Sequence, residues 1–137
     1  MVAGMGASAA AVAAAPLAAA QTPAADGGRV KVVFHVSDPG HYPYLISNLT
    51  NLLEARPDAA LRVVVDGTAV YALSGGNDLV TKLGELAGRG VEMQVCPNAL
   101  REHAVPEAAM PDWANTSTGG VIAMWEAQRD GFAYVKP

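Results

Sequence analysis

VKVVFHVSDPGHYPYLISNLTNLLEARPDAALRVVVDG, residues 30–67, decides the fold. Val30 to Val36 is apolar and rich in β-branched residues, which suits a strand buried on both faces. Ser37-Asp38-Pro39-Gly40 is turn chemistry. From Tyr42 to Ala55 the leucines fall at 45, 49, 52 and 53, the spacing of one helix face, with Pro43 tolerated in the first turn. Arg56-Pro57-Asp58 stops that helix, and Leu61 to Val65 is a second strand of the same composition. Two such strands joined by a helix are a parallel βαβ unit.

The pattern continues outward from this unit. Asp66-Gly67 turns the chain, and Val70 to Leu73 reads as a helical turn. Asn77 is placed to cap a helix carrying Leu79, Leu83 and Leu86 on one face and ending near Gly88 or Gly90. Val91 to Val95 is a third strand, with Cys96 at its end and a short helix from Pro97 to His103. Ala114 to Ser117 is a short fourth strand. Gly119 and Gly120 lead into a helix over Val121 to Arg129, and Phe132 to Lys136 closes the chain as a strand. The expected architecture is a three-layer α/β/α sandwich around a mostly parallel sheet of about five strands. In such sheets ligands gather beyond the carboxyl ends of the strands, here His35 to Gly40, Asp66 to Tyr71, Cys96 to Asn98 and Asn115 to Gly120.

Upstream, residues 1–28 differ in kind from residues 29–137, which form the expected domain. Ala7 to Ala20 is small and apolar, and Ala18-Ala19-Ala20 ahead of Gln21 fits a signal-peptidase site. A Pro/Ala/Gly linker follows from Thr22 to Gly28. No Lys or Arg precedes the apolar run, so an export leader and an Ala-rich tail both stay open. The expected location is periplasmic or otherwise exported, with the cytoplasm as the alternative. The run is too short and too rich in alanine for a membrane span, so no membrane insertion of the domain is expected. Gly4-Met5-Gly6-Ala7-Ser8-Ala9 has the dinucleotide-loop spacing, but no strand precedes it, and that loop works only between a strand and a helix. No cofactor is expected.

Composition removes several function classes. The formal net charge is −4, and the 9 Lys and Arg residues are scattered with no basic stripe, so a nucleic-acid partner has no electrostatic support. The single cysteine excludes an internal disulfide and a two-cysteine redox motif. His35, His41 and His103 lack metal-ligand spacing, and no metal site is expected.

Cys96 is the leading chemical group. At a strand end and just before a helix, a thiolate would be stabilised by the positive end of the helix dipole, and Arg101 and His103 could add to this. The competing reading is a small buried hydrophobe. His35 could orient a ligand or act as a base, or simply be a hydrogen-bonded core residue. Asp66 could hold a ligand or only shape an Asp-Gly turn. Ser117, Thr118 and Gly119 could cradle an anion at a helix start, whereas plain capping by Ser117 or Thr118 is the structural alternative.

Three stretches together resemble the DsrE/DsrF-like sulfur-relay family, which includes the TusD-type subunits. They are VKVVFHVSD…LISNLTNLL, GVEMQVCPNALRE (residues 90–102) and GGVIAMWEAQRDGFAYVKP (residues 119–137). The resemblance implies a parallel five-stranded α/β fold assembled as trimers or hexamers. It also implies a cysteine, matched by Cys96, that accepts sulfur as a persulfide and passes it on, with a thiol or polysulfide as donor and acceptor. The export-type leader departs from the many cytoplasmic members. The alternative expectation is a non-catalytic oligomeric module that binds a small anion or a protein partner.

Overall fold

The computed structural model describes residues 28–137; residues 1–27, where the export leader or Ala-rich tail is expected, lie outside them. The described chain alternates strands and helices as the sequence predicts. β1 is Lys31–Val36, α1 Tyr42–Ala55, β2 Ala60–Val65, α2 Asp78–Gly88, β3 Glu92–Val95, α3 Pro97–Glu102, β4 Ala114–Asn115, α4 Gly120–Arg129 and β5 Ala133–Val135. The ambiguous stretch after β2 is a 3-10 helix, Gly67–Leu73. Asn77 caps α2 as expected, its side chain accepting from the Val80 amide at 2.9 Å.

The sheet order is β4-β3-β2-β1-β5, and every neighbouring pair is parallel. The chain therefore steps outward from β1 to β4, then returns across the sheet to place β5 on the far side of β1. Crossovers in parallel sheets keep one hand, so reversing direction moves the connecting helix to the other face. That is the observed layering. Leu45, Leu49 and Leu53 of α1, Leu83 and Leu86 of α2, and Ala99 and Leu100 of α3 pack with Phe34, Val36, Val63, Val65 and Val95. On the opposite face Ala123 and Ala127 of α4 pack with Val33 and Val64.

The alternation of side chains along a strand decides which residues meet which helix. In β1, Phe34 and Val36 point to the three-helix layer, whereas Val33 and therefore His35 point to the α4 side. Among the described residues no polar or charged residue is fully buried, so the core is held by apolar area, at about 1.5–3 kcal/mol for each large side chain fully removed from water. Tyr42 sits in this core with its phenol donating to the Ala69 carbonyl at 2.9 Å, which ties α1 to the turn after β2. Burial pushes that phenol's pKa well above its ordinary value.

α4 sets its small residues against the sheet. Val121, Met124, Trp125 and Gln128 fall on one side of the helix, a face that core or a subunit interface could equally claim, and the residues buried against the sheet are Gly120, Ala123 and Ala127. Trp125 is 58% exposed and Val121 77%. The small residues win because they let the helix axis come close to the sheet at Val33 and Val64. Met124 is partly buried against this contact, while Val121, Ile122 and Trp125 are left as an apolar outer surface, with the Arg129 guanidinium 5.1 Å from the centre of the Trp125 ring.

Candidate functional site

The carboxyl ends of β1, β2 and β3 carry His35, Asp66 and Cys96; Cys96 packs with the three-helix core and also lines, with Asp66, a cleft at the start of α4. Asp66 lies one step beyond β2 and Cys96 one step beyond β3. Val65 and Val95 are register partners, and the Cys96 amide donates to the Val65 carbonyl at 2.8 Å. Asp66 and Cys96 therefore stand side by side on adjacent strands, which lie about 4.8 Å apart in a sheet.

Cys96 is a free cysteine and is 6% exposed. It occupies the N-cap position of α3, with extended backbone and no side-chain capping bond. Pro97 explains the geometry, because it favours extended backbone in the residue before it and suits the first turn of a helix. The second wall is the start of α4. A methyl group built on Gly119 would lie 2.2 Å from the Cys96 Cα, and one on Gly120 would lie 3.2 Å from the Cys96 Sγ. The two glycines thus let the chain cross directly over the cysteine. Gly120 has the further requirement of φ +57°, a left-handed conformation that costs a residue with a Cβ about 1–2 kcal/mol.

The thiol borders a cleft of about 330 Å³ lined by Asp66, Gly67, Cys96, Asn98, Glu102 and the 119–122 segment. The strand end is at the rim, but the return of α4 covers the sulfur, leaving it as a wall of a shallow cleft. Two carboxylates, Asp66 and Glu102, line the cleft together with uncharged groups. Arg101 does not line it, and its guanidinium donates to Asn98 instead. His103 also turns away, with Nδ1 3.1 Å from the Tyr71 hydroxyl.

His35 and Asp66 come together. His35 Nε2 lies 3.0 Å from Asp66 Oδ2, and the Ser37 hydroxyl approaches the same nitrogen at 3.0 Å. The other ring nitrogen, Nδ1, lies 3.0 Å from the Tyr134 hydroxyl on β5. His35 is thus neither a solitary core histidine nor a lone base but the centre of a four-residue cluster. Asp66 begins the turn after β2 with no capping bond of its own, its carboxylate being committed to the imidazole.

Ser117 and Thr118 take a different place from the one their sequence suggests. The N-cap of α4 is Gly119, with no side-chain bond to the helix amides. The Ser117 amide and hydroxyl both turn back to Asn115 Oδ1, at 2.9 and 2.7 Å, an Asx turn that closes β4. Capping by Ser117 or Thr118 is therefore corrected: the Asx turn draws Ser117 back to β4, and the helix begins two residues after Thr118. Of the predicted group, only Gly119 borders the Cys96 cleft. His41 Nδ1 is enclosed without a hydrogen-bond partner.

Tyr134 and Ser37 are the residues that sequence reasoning missed. Nothing in FAYVK distinguishes a site tyrosine from an edge-strand aromatic. Ser37 does carry a faint signal, lying two residues past His35 and so on the same side of an extended chain.

Comparison with known proteins gives likeness in structure. The fold matches that of MTH1491, a protein of unknown function from Methanobacterium thermoautotrophicum, with a TM-score of 0.73 and 28% identity, covering 79% of this chain and 99% of that one. It also matches the YchN protein of E. coli, with a TM-score of 0.64 and 14% identity, at the same coverage of both chains. No family model matches the sequence, and no curated protein does either.

Proposed function

We propose that this protein is a sulfur carrier in which Cys96 accepts a sulfane sulfur as a persulfide and yields it to a second thiol. The observation that carries the reading is the position of the one cysteine: unpaired, at the carboxyl end of a central parallel strand, in a cleft bounded by the starts of two helices. The fold agrees with the sulfur-relay resemblance of residues 30–137, and the cysteine is the position that matches in it. The chain as carrier would act as a homo-oligomer. The exposed apolar side chains of α4, Val121, Ile122 and Trp125, supply a surface for that assembly, since large apolar patches on a monomer mark contact sites.

The test is mass spectrometry of the folded protein after exposure to inorganic polysulfide. The expected result is a gain of one or more sulfur atoms on the Cys96 peptide that dithiothreitol removes. An unmodified Cys96 under conditions that convert a control thiol overturns the reading.

The competing reading is a binding or assembly module without chemistry, and the burial of the thiol favours it. Labelling of Cys96 only after denaturation would establish that reading in place of the carrier.

A further inference from the structure

We propose that Tyr134, His35 and Asp66 form a proton-transfer line joining solvent to the Cys96 cleft. The inference rests on the carrier reading above and adds acid–base groups to it. Tyr134, at the solvent end, is 43% exposed, and the 3.0 Å contacts run from its hydroxyl to His35 and from His35 to Asp66. Asp66 lines the same cleft as Cys96. The line therefore has one end in water and the other on the wall of the cleft that Cys96 also lines.

Burial alone does not demand these bonds. The His35 and Asp66 side chains are 18% and 23% exposed, so water could satisfy both. What the arrangement provides is two protonation states with the same heavy-atom positions. In the neutral imidazole protonated at Nε2, that N–H donates to the carboxylate with the Ser37 hydroxyl oxygen accepting beside it, and Nδ1 accepts from the tyrosine hydroxyl. In the imidazolium, both nitrogens donate, and the tyrosine hydroxyl turns its hydrogen to water. Passing between the two states puts one proton on Nδ1 or takes it off and rotates one O–H bond, with no heavy atom moved. The α4 residues packed on this face are Ala123, Ala127 and Met124, so the helix covering brings no competing charge onto the imidazole from those positions.

The step this serves balances without an oxidant or reductant. Cys96 sulfur attacks the outer sulfur of a hydropersulfide R–S–SH. A Cys96 S–S bond forms, the donor S–S bond breaks, and its electron pair leaves on RS⁻. Asp66, backed by His35, takes the thiol proton and returns it to RS⁻, so that the thiol and R–S–SH become the Cys96 persulfide and RSH. Asp66 is the group at the cleft; His35 and Tyr134 are positioning residues acting through it.

The experiment follows the rate of Cys96 conversion by cysteine hydropersulfide, and separately by iodoacetamide, which needs the same proton removed but no sulfur donor. His35→Ala, Asp66→Asn and Tyr134→Phe are compared in the full chain, with melting curves to confirm folding. General acid–base groups contribute about 10²–10⁴-fold; because His35 acts through Asp66, its loss is expected to slow both reactions at least about tenfold. Added imidazole is expected to restore much of the rate in His35→Ala, which a merely structural histidine would not allow. Wild-type rates in His35→Ala and Asp66→Asn, or a slow His35→Ala that imidazole does not help, overturn the line. Inertness to the hydropersulfide, with alkylation still slowed and rescued, overturns the carrier but keeps the line. A Cys96 that neither reagent reaches in the folded chain overturns both.

Discussion

Replacing Gly119 with alanine tests the packing that builds the cleft. The added methyl carbon would lie 2.2 Å from the Cys96 Cα and 2.8 Å from both its amide nitrogen and its Cβ, whereas unstrained carbon atoms sit about 3.5–4.0 Å apart. Two of the three obstacles are backbone, so no rotamer change relieves them, and the first turn of α4 must retreat by more than about one ångström. That retreat loosens Ala123 from Val33 and Val64. Overpacking typically costs about 1–3 kcal/mol, occasionally more, and contact against backbone places Gly119→Ala at the upper end, about 3 kcal/mol. At about 4 °C per kcal/mol for a domain of this size, the melting temperature should fall by about 13 °C in calorimetry. Gly76→Ala is the control, because no heavy atom lies within 4 Å of its added methyl. A second substitution, Cys96→Ala, should leave the Gly119→Ala defect in place, since the Cα, Cβ and nitrogen all remain. In Gly120→Ala the obstacle is the sulfur at 3.2 Å plus φ +57°, so Cys96→Ala should recover the steric part and leave the backbone part. A Gly119→Ala melting temperature within about 2 °C of wild type would mean that α4 does not cross over the cysteine, and the cleft as described would be wrong.

Tyr42→Phe removes the donor to the buried Ala69 carbonyl and should cost about 1–3 kcal/mol in urea unfolding. Because burial raises the Tyr42 pKa in the folded chain, its contribution is whole below the unfolded value of about pH 10 and is lost as pH rises toward the folded one; wild type should therefore show a loss of stability above about pH 10 that is smaller in Tyr42→Phe. Asp58 has the opposite sign. The Arg56 side-chain hydrogen bond, with lesser charge effects, holds its carboxyl below the ordinary value, so its contribution is present above the unfolded pKa and is lost as pH falls through the folded one. In an NMR titration Arg56→Ala should move Asp58 upward, with little change in melting because the pair is solvent-exposed.

The sequence by itself determined the elements and the layers. β-branched apolar runs at 30–36 and 61–65 and a shorter apolar alternation at 91–95, with leucines at helical spacing between them, admit few arrangements other than a parallel sheet covered on both faces. Periodicity also fixed which residues reach the carboxyl edge, and so identified His35, Asp66 and Cys96. It could not say which of them meet. His35 and Tyr134 are separated by 99 positions and touch only because β5 returns to pair with β1, a choice of strand order that no local pattern encodes. The same return lays Gly119 and Gly120 over the cysteine and turns Trp125 outward, since close approach to the sheet depends on which residues are small at the contact. The charge of the cleft was likewise a tertiary matter: Arg101 sits close to Cys96 in sequence, but a hydrogen bond to Asn98 holds its head, and the cleft receives Glu102 instead. Local chemistry sets what each segment becomes, while contacts between distant segments follow from strand order and register.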